Sequence, residues 1–233
     1  MKNFLMLPAM GCDARLYAEI TEPLSEIVSP IAVMADRDNL ADCVRQVLEA
    51  APEKFIVLGT SFGGRTALEV ALAAPQRVEA LVVIGAGAGA AADPALGLMR
   101  AARLRGGEFD AVVGEMANMV SHMDGPRGLT TRELFIAMAH TNGQELMARQ
   151  SEALARRADL GPRLGEIAIP ALMLWGREDQ FSPAADGLLM STAIANARYV
   201  EISQCGHFPS LEAPVETAEV LLHWLQDAKL ISG

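Results

Sequence analysis

Residues Lys54 to Gly64 read KFIVLGTSFGG, a run of apolar strand formers that breaks off into Gly59-Thr60-Ser61-Phe62-Gly63-Gly64. The spacing G-x-S-x-G is the signature of a sharp strand-to-helix turn. Its serine sits at the apex in strained backbone, and the flanking glycines are needed because a Cβ there collides with neighbouring main chain. Both flanks agree with such a turn. Phe55, Ile56, Val57 and Leu58 are continuously apolar, the pattern of a strand covered on both faces of a parallel sheet. Thr66 to Ala74 is rich in helix formers and stops at Pro75. Ser61 is therefore a candidate nucleophile; its plainer reading is a serine that caps a helix.

Six β-type runs punctuate the chain: Phe4 to Leu7, Pro30 to Met34, Phe55 to Leu58, Ala80 to Ile84, Ala171 to Trp175 and Arg198 to Ile202. Helical patterns separate them, such as Leu40, Val44, Val47 and Leu48 behind Asn39, and Val215, Ala218, Leu222 and Leu225 behind Pro214. Strand and helix in alternation imply an α/β fold, a mostly parallel sheet of six strands flanked by helices. The alternation stops between Gly85 and Ile169, where no strand pattern occurs. Residues 1–85 and 169–233 are expected to form the core domain and 86–168 a helical insertion. Its expected helices are Pro94 to Leu104, Phe109 to Ser121, Thr131 to His140 and Gly143 to Ala158, the last two behind capping boxes at Thr130-x-x-Glu133 and Asn142-x-x-Glu145. The insertion is rich in methionine (Met99, Met116, Met119, Met123, Met138, Met147), read first as core filler and second as adaptable pocket lining.

The 233 residues suffice for one large domain carrying a modest insertion. A net charge of −10 argues against nucleic acid as a partner. No apolar stretch is long enough to span a bilayer, and the short apolar run at Met1 to Leu7 reads as a strand rather than a signal peptide. Cys12, Cys43 and Cys205 are odd in number and lack metal-ligand spacing, so no disulfide framework and no metal site is expected, and a cytoplasmic location fits best.

A serine hydroxyl needs a base to take its proton and an acid to orient that base. Both residue types occur just past strand ends. Ala171 to Trp175 runs into Gly176-Arg177-Glu178-Asp179, and Tyr199 to Ile202 runs into Ser203-Gln204-Cys205-Gly206-His207. In a parallel sheet all carboxyl ends share one edge, so Ser61, Asp179 and His207 can converge there. Glu178 is the neighbouring alternative to Asp179. His122, His140 and His223 fall in predicted helices or at their ends and read as surface or half-buried residues, with His122 the one that could face a pocket. Cys12 and Cys205 flank the site and read as small buried thiols. Gly85-x-Gly87-x-x-Ala90 matches a loose dinucleotide-binding fingerprint, but no strand ending in an acid follows at the required distance.

Taken together, these motifs resemble the α/β-hydrolase superfamily, specifically its small esterase-like and C–C-hydrolase-like members, over essentially the whole chain. The resemblance rests on Leu7-Pro8-Ala9-Met10-Gly11 as an oxyanion loop, Gly59 to Gly64 as the elbow, Trp175 to Asp179 with Pro183 as an acid loop, and Cys205-Gly206-His207 followed by Leu211-Glu212-Ala213-Pro214 as a histidine loop, in the order Ser, Asp, His. It departs at Pro8-Ala9, where many relatives carry His-Gly, and at Thr60, where many have His or Tyr. It also implies that the antiparallel hairpin common at the start of the fold is missing. By this resemblance Ser61, Asp179 and His207 form a catalytic triad, the backbone amides of Met10 and Phe62 form the oxyanion hole, residues 86–168 form a cap or lid, and no cofactor or metal is required. The implied activity is hydrolysis of a carboxylic ester or related small-molecule acyl substrate. A C–C bond hydrolase of meta-cleavage type or a thioesterase on the same triad is the alternative, and a non-catalytic small-molecule-binding module is the rival of another class.

Charge is unevenly spread. Residues 86–168 hold nine Arg and Lys against ten Asp and Glu, whereas the rest holds ten against nineteen. Arg100, Arg103 and Arg105 cluster on one predicted helix and Arg149, Arg156 and Arg157 on another. They read first as solvated helix faces paired with nearby glutamates. The sharper expectation is that some of them receive an anionic group of the substrate.

Overall fold

The computed structural model describes residues 1–231. Its elements, in chain order, are β1 (Lys2–Leu7), α1 (Ala18–Leu24), β2 (Val28–Ala32), α2 (Leu40–Ala50), β3 (Phe55–Thr60), α3 (Phe62–Ala73), β4 (Val78–Ile84), α4 (Pro94–Arg105), α5 (Phe109–Val120), α6 (Gly128–Ala155), β5 (Ala171–Gly176), α7 (Ala184–Ala193), β6 (Ala197–Ile202), α8 (Pro209–Glu212) and α9 (Pro214–Asp227). The six strands form one sheet in the order β2-β1-β3-β4-β5-β6, and every pairing is parallel. Among the described residues the sheet contains no antiparallel hairpin.

Position in the sheet explains the composition of each strand. β3 and β5 lie inside it with helices on both faces, and all their residues are buried. The edge strands β2 and β6 are half-buried or exposed over most of their residues, and β2 tolerates Pro30 because one of its sides makes no ladder. This moves β2 from the expected Pro30 to Met34 to Val28–Ala32. The apolar run draws the eye to Ile31, Ala32 and Val33, but pairing with β1 begins at Lys2 opposite Val28. Asn39 caps α2 as expected, its side chain accepting from Asp42 N at 2.9 Å, and Pro214 opens α9 in the first turn.

The chain leaves β1 toward β2 on one side and returns to place β3 on the other, so β1 and β3 flank the point where the strand order reverses. In such sheets the loops at the carboxyl ends diverge there and open a crevice. The loop after β1 carries Met10, and the turn after β3 carries Ser61.

Between β4 and β5 the chain contributes α4, α5 and α6 in place of a strand, with α4 packed along α6 and α5 against both. The two helices expected from Thr131 onward are present as the two halves of α6. The break lies at Gly143, whose φ of 80° and ψ of 167° are open to glycine. Neither expected capping box forms. Thr130 lies inside α6, and the Asn142 side chain is directed across the molecule, to Gly11 O and Asp13. Met138 and Met147 are core residues, Met116 is buried, and Met99, Met119 and Met123 are exposed. Among the described residues no helix is long and apolar enough to cross a membrane.

Candidate active site

Ser61 occupies the turn between β3 and α3 at φ 54° and ψ −113°, strained for any residue with a Cβ. Two close approaches enforce the turn. A Cβ on Gly59 would lie 2.1 Å from Gly63 O, and one on Gly63 would lie 1.9 Å from Leu7 O. The second approach brings the start of α3 against the end of β1, which sets the elbow beside the loop carrying Met10. Ser61 N donates to Ile84 O at 2.8 Å, tying the apex to β4. Tyr17 bridges β1 and β3, its hydroxyl donating to Leu7 O at 2.7 Å and lying 2.9 Å from Thr60 Oγ1.

The acid loop follows β5. Asp179 Oδ1 accepts from Phe181 N at 2.8 Å and Ser182 N at 2.9 Å, which fixes the carboxylate and aims Oδ2 at His207 Nδ1, 2.7 Å away. Both side chains of this pair are 1% exposed. The adjacent Glu178 points elsewhere, its Oε2 accepting from Cys205 N at 2.8 Å, so it braces the histidine loop rather than the ring.

The histidine loop is held from three directions. His207 N donates to Val120 O at the end of α5. Glu212, buried in α8, accepts from Gly206 N at 3.0 Å and His122 N at 2.9 Å through Oε2, and from Phe208 N at 3.4 Å through Oε1. Burial pushes the Glu212 carboxyl above the usual range while these three amides pull it back. The imidazole is flanked by Phe181 and Phe208, with ring centroids 5.0 and 5.1 Å away. Gly85 floors the pair: a Cβ there would meet His207 Nδ1 at 3.0 Å and Asp179 Oδ2 at 3.3 Å. The structure thus brings together all three residues read from the sequence, and adds Gly85, Glu212 and Phe181.

His207 Nε2 is buried and has no hydrogen-bond partner among the described residues, Ser61 included. It lines a narrow apolar cavity together with Ser61, Met10, Met116, Phe135 and Phe208. Among the described residues, neither Met10 N–H nor Phe62 N–H donates to a protein acceptor. Phe62 begins α3, so the positive end of that helix points at the same place. A wider cavity of about 390 Å³ adjoins Ser61 on another side, lined by Gly87, Arg157, Phe181, Ser182 and Asp186.

Burial pushes the Cys12 and Cys205 thiols far up and the Cys43 thiol up to about 11, so all three are inert, buried groups. His140 is exposed against Phe109 and Asp110, His223 is exposed, and His122 is half-buried near the acid loop. The arginines divide. Arg103 pairs with Glu108 and Glu115, and Arg105 with Glu145 and Glu152, as solvated helix faces do. Arg100 lies over the Phe181 ring, 5.9 Å from its centroid, and desolvation lowers its pKa. Arg157 lines the wider cavity beside Ser61. Among the described residues no group of three or more His, Cys, Asp or Glu side chains is placed to hold a metal.

Residues 7–220 match the Alpha/beta hydrolase family. A 2-hydroxy-6-oxononadienedioate/2-hydroxy-6-oxononatrienedioate hydrolase of Paraburkholderia xenovorans is 31% identical over 207 residues, covering 78% of this chain and 66% of that protein. The chain therefore spans just under two thirds of this relative's length. Among solved structures, an esterase of Thermogutta terrifontis superposes with a TM-score of 0.89 at 19% identity, covering 98% of this chain and 90% of that one. An enol-lactonase of Burkholderia xenovorans superposes at 0.85 and 21% identity, covering 97% and 92%. These two likenesses are of fold, and they run through sheet and helical insertion alike. Sheet order, elbow geometry and the match over residues 7–220 meet in one conclusion: this chain belongs to the alpha/beta hydrolase family.

Proposed function

We propose that the protein cleaves a small acyl compound through Ser61, His207 and Asp179, and that its substrate is a conjugated diketone-type carboxylate cut at a C–C bond. The observation that carries the triad reading is the His207 ring, held at Nδ1 by Asp179 while Nε2 is left bare in the cavity it shares with Ser61. In this scheme Nε2 takes the Ser61 proton as Oγ attacks the carbonyl, and Asp179 stabilises the imidazolium. The amides of Met10 and Phe62 receive the charge that develops on the carbonyl oxygen. His207 then returns the proton to the leaving group, and a water activated by the same nitrogen releases the acid. A carbon leaving group departs readily only where its electron pair is delocalised into a second carbonyl, hence the conjugated diketone.

The C–C reading is supported by the Paraburkholderia hydrolase, named for such a dienedioate. Residues 86–168 act as the cap in this proposal. Met116, Phe135 and Leu154 from that segment line the narrow cavity and suit the apolar part of the substrate. Arg157 in the wider cavity suits a carboxylate arm. Hydrolysis of a carboxylic ester is the second reading, favoured by the fold likeness to the Thermogutta esterase. The test is kcat/KM for a 2-hydroxy-6-oxo-dienoate against a p-nitrophenyl ester of similar length, each with and without a distal carboxylate. The C–C substrate bearing the carboxylate is expected to be fastest, with its charge advantage reduced in Arg157→Gln and at high salt. Faster ester turnover with no charge preference would reverse the order of the two readings.

A further inference from the structure

The loop that carries Met10 is gripped by a residue far away in sequence. Gln150 of α6 is 1% exposed, and its side chain makes two hydrogen bonds, both to main chain. Gly11 N donates to Oε1 at 2.9 Å, and Nε2 donates to Ala35 O at 2.8 Å. One turn of α6 closer to its kink, Met147 packs against Gly11, and Asn142 Nδ2 donates to Gly11 O at 3.0 Å. The helix thus holds both the amide and the carbonyl of Gly11.

The effect reaches Met10 through peptide planarity. The plane joining Ala9 and Met10 is fixed at its oxygen end, since Ala9 O accepts from Cys12 N at 3.0 Å, and the Met10 N–H lies in that plane, pointing opposite to the carbonyl. The next plane carries Gly11 N–H and is fixed by Gln150. With both planes set, the Met10 N–H has one direction, and it has no protein acceptor among the described residues.

We propose that Gln150 is a positioning residue for the oxyanion hole, acting on the Met10 N–H through Gly11, with Asn142 as its weaker helper. On this view the helical insertion is part of the catalytic machinery as well as a cover. The inference rests on the triad reading given above. Its signature is a defect confined to the tetrahedral state, because the hole binds charge that the ground-state carbonyl lacks.

The experiment uses Gln150→Met, which keeps the volume and removes both hydrogen bonds, with denaturation midpoints recorded to show that it is folded. Three readouts are compared with the unmodified enzyme: kcat, KM, and inhibition by phenylboronic acid, which forms a tetrahedral adduct on the serine. Expected are a kcat reduced about tenfold to a hundredfold, a KM changed less than about threefold, and boronate affinity reduced in step with kcat. That range lies below the loss for deleting a donor outright. Asn142→Ala should show the same pattern at about twofold to fivefold, and it carries the test alone if Gln150→Met does not fold. A folded variant whose kcat and boronate affinity both stay within twofold would overturn the proposal, as would a kcat loss without any boronate loss. Ser61→Ala in the same assays separates the two levels. Surviving turnover there removes the triad reading and this inference with it, whereas its loss leaves the Gln150 result to decide the inference.

Discussion

The carboxyl edge of the sheet and the helical insertion wall the same cavity by opposite means. At the sheet edge, register does the positioning. Thr60 pairs with Ile84, Ile84 with Leu174, and Gly176 with Ile202, so turns that leave adjacent strands at the same level bring Ser61, Asp179 and His207 together. The insertion has no such ladder. It reaches the site through single contacts distant in sequence, Gln150 to Gly11, Asn142 to Gly11, and Val120 and His122 to the histidine loop. A ladder distributes strain over many bonds, whereas a lone side-chain grip concentrates it. Changes at the edge should therefore act on chemistry and leave the fold intact, while changes at the grips should act on geometry and stability together.

The largest expected effect is at the edge. Asp179→Asn should lower kcat by about four orders of magnitude, because the amide favours the wrong histidine tautomer. Glu178→Gln should cost far less, since the Glu178 carboxylate accepts from Cys205 N and not from the His207 ring. Steady-state kinetics on both variants checks this, and comparable losses would mean that the two carboxylates have been assigned to the wrong roles. Next comes the junction of edge and insertion. Glu212→Ala strands three backbone N–H groups and should cost about 3 kcal/mol of stability, read by denaturant titration, together with a fall in kcat. A stability loss with unchanged kcat would show that the histidine loop does not depend on its tie through Glu212 to His122. The smallest effect is expected on the outer face of the insertion, where Arg105→Gln breaks two exposed ion pairs and should change stability by less than about 0.5 kcal/mol.

The same contrast governs what could be read from the sequence. Ser61, Asp179 and His207 were legible because each sits at the end of an apolar strand run, and a parallel sheet turns that local fact into a spatial one. The elbow glycines were legible because the motif is short and its collisions are local. Edge strand β2 was misplaced because an edge carries a diluted apolar signal. In the insertion, helix existence was legible for α4, α5 and both halves of α6, since a glycine between two helical patterns reads as the break it is. Asn142 looked like a cap, its amide being equally suited to a helix end or a remote carbonyl. Gln150 gave no signal at all: a polar residue between Arg149 and Ser151 on an amphipathic helix reads as solvated until its partners, Gly11 and Ala35, are seen. Glu212 was quoted within the histidine-loop motif, but its three amide partners belong to a folded loop and leave no trace in spacing.

The central claim is that hydrolysis runs through one serine at the sheet edge. Its most direct test is labelling with a fluorophosphonate followed by peptide mapping, on the unmodified protein and on Ser61→Ala. A single adduct on the peptide containing Ser61, lost in the variant together with turnover while the denaturation midpoint is retained, is the expected result. An adduct on another serine, or turnover that persists in a folded Ser61→Ala protein, would contradict the account.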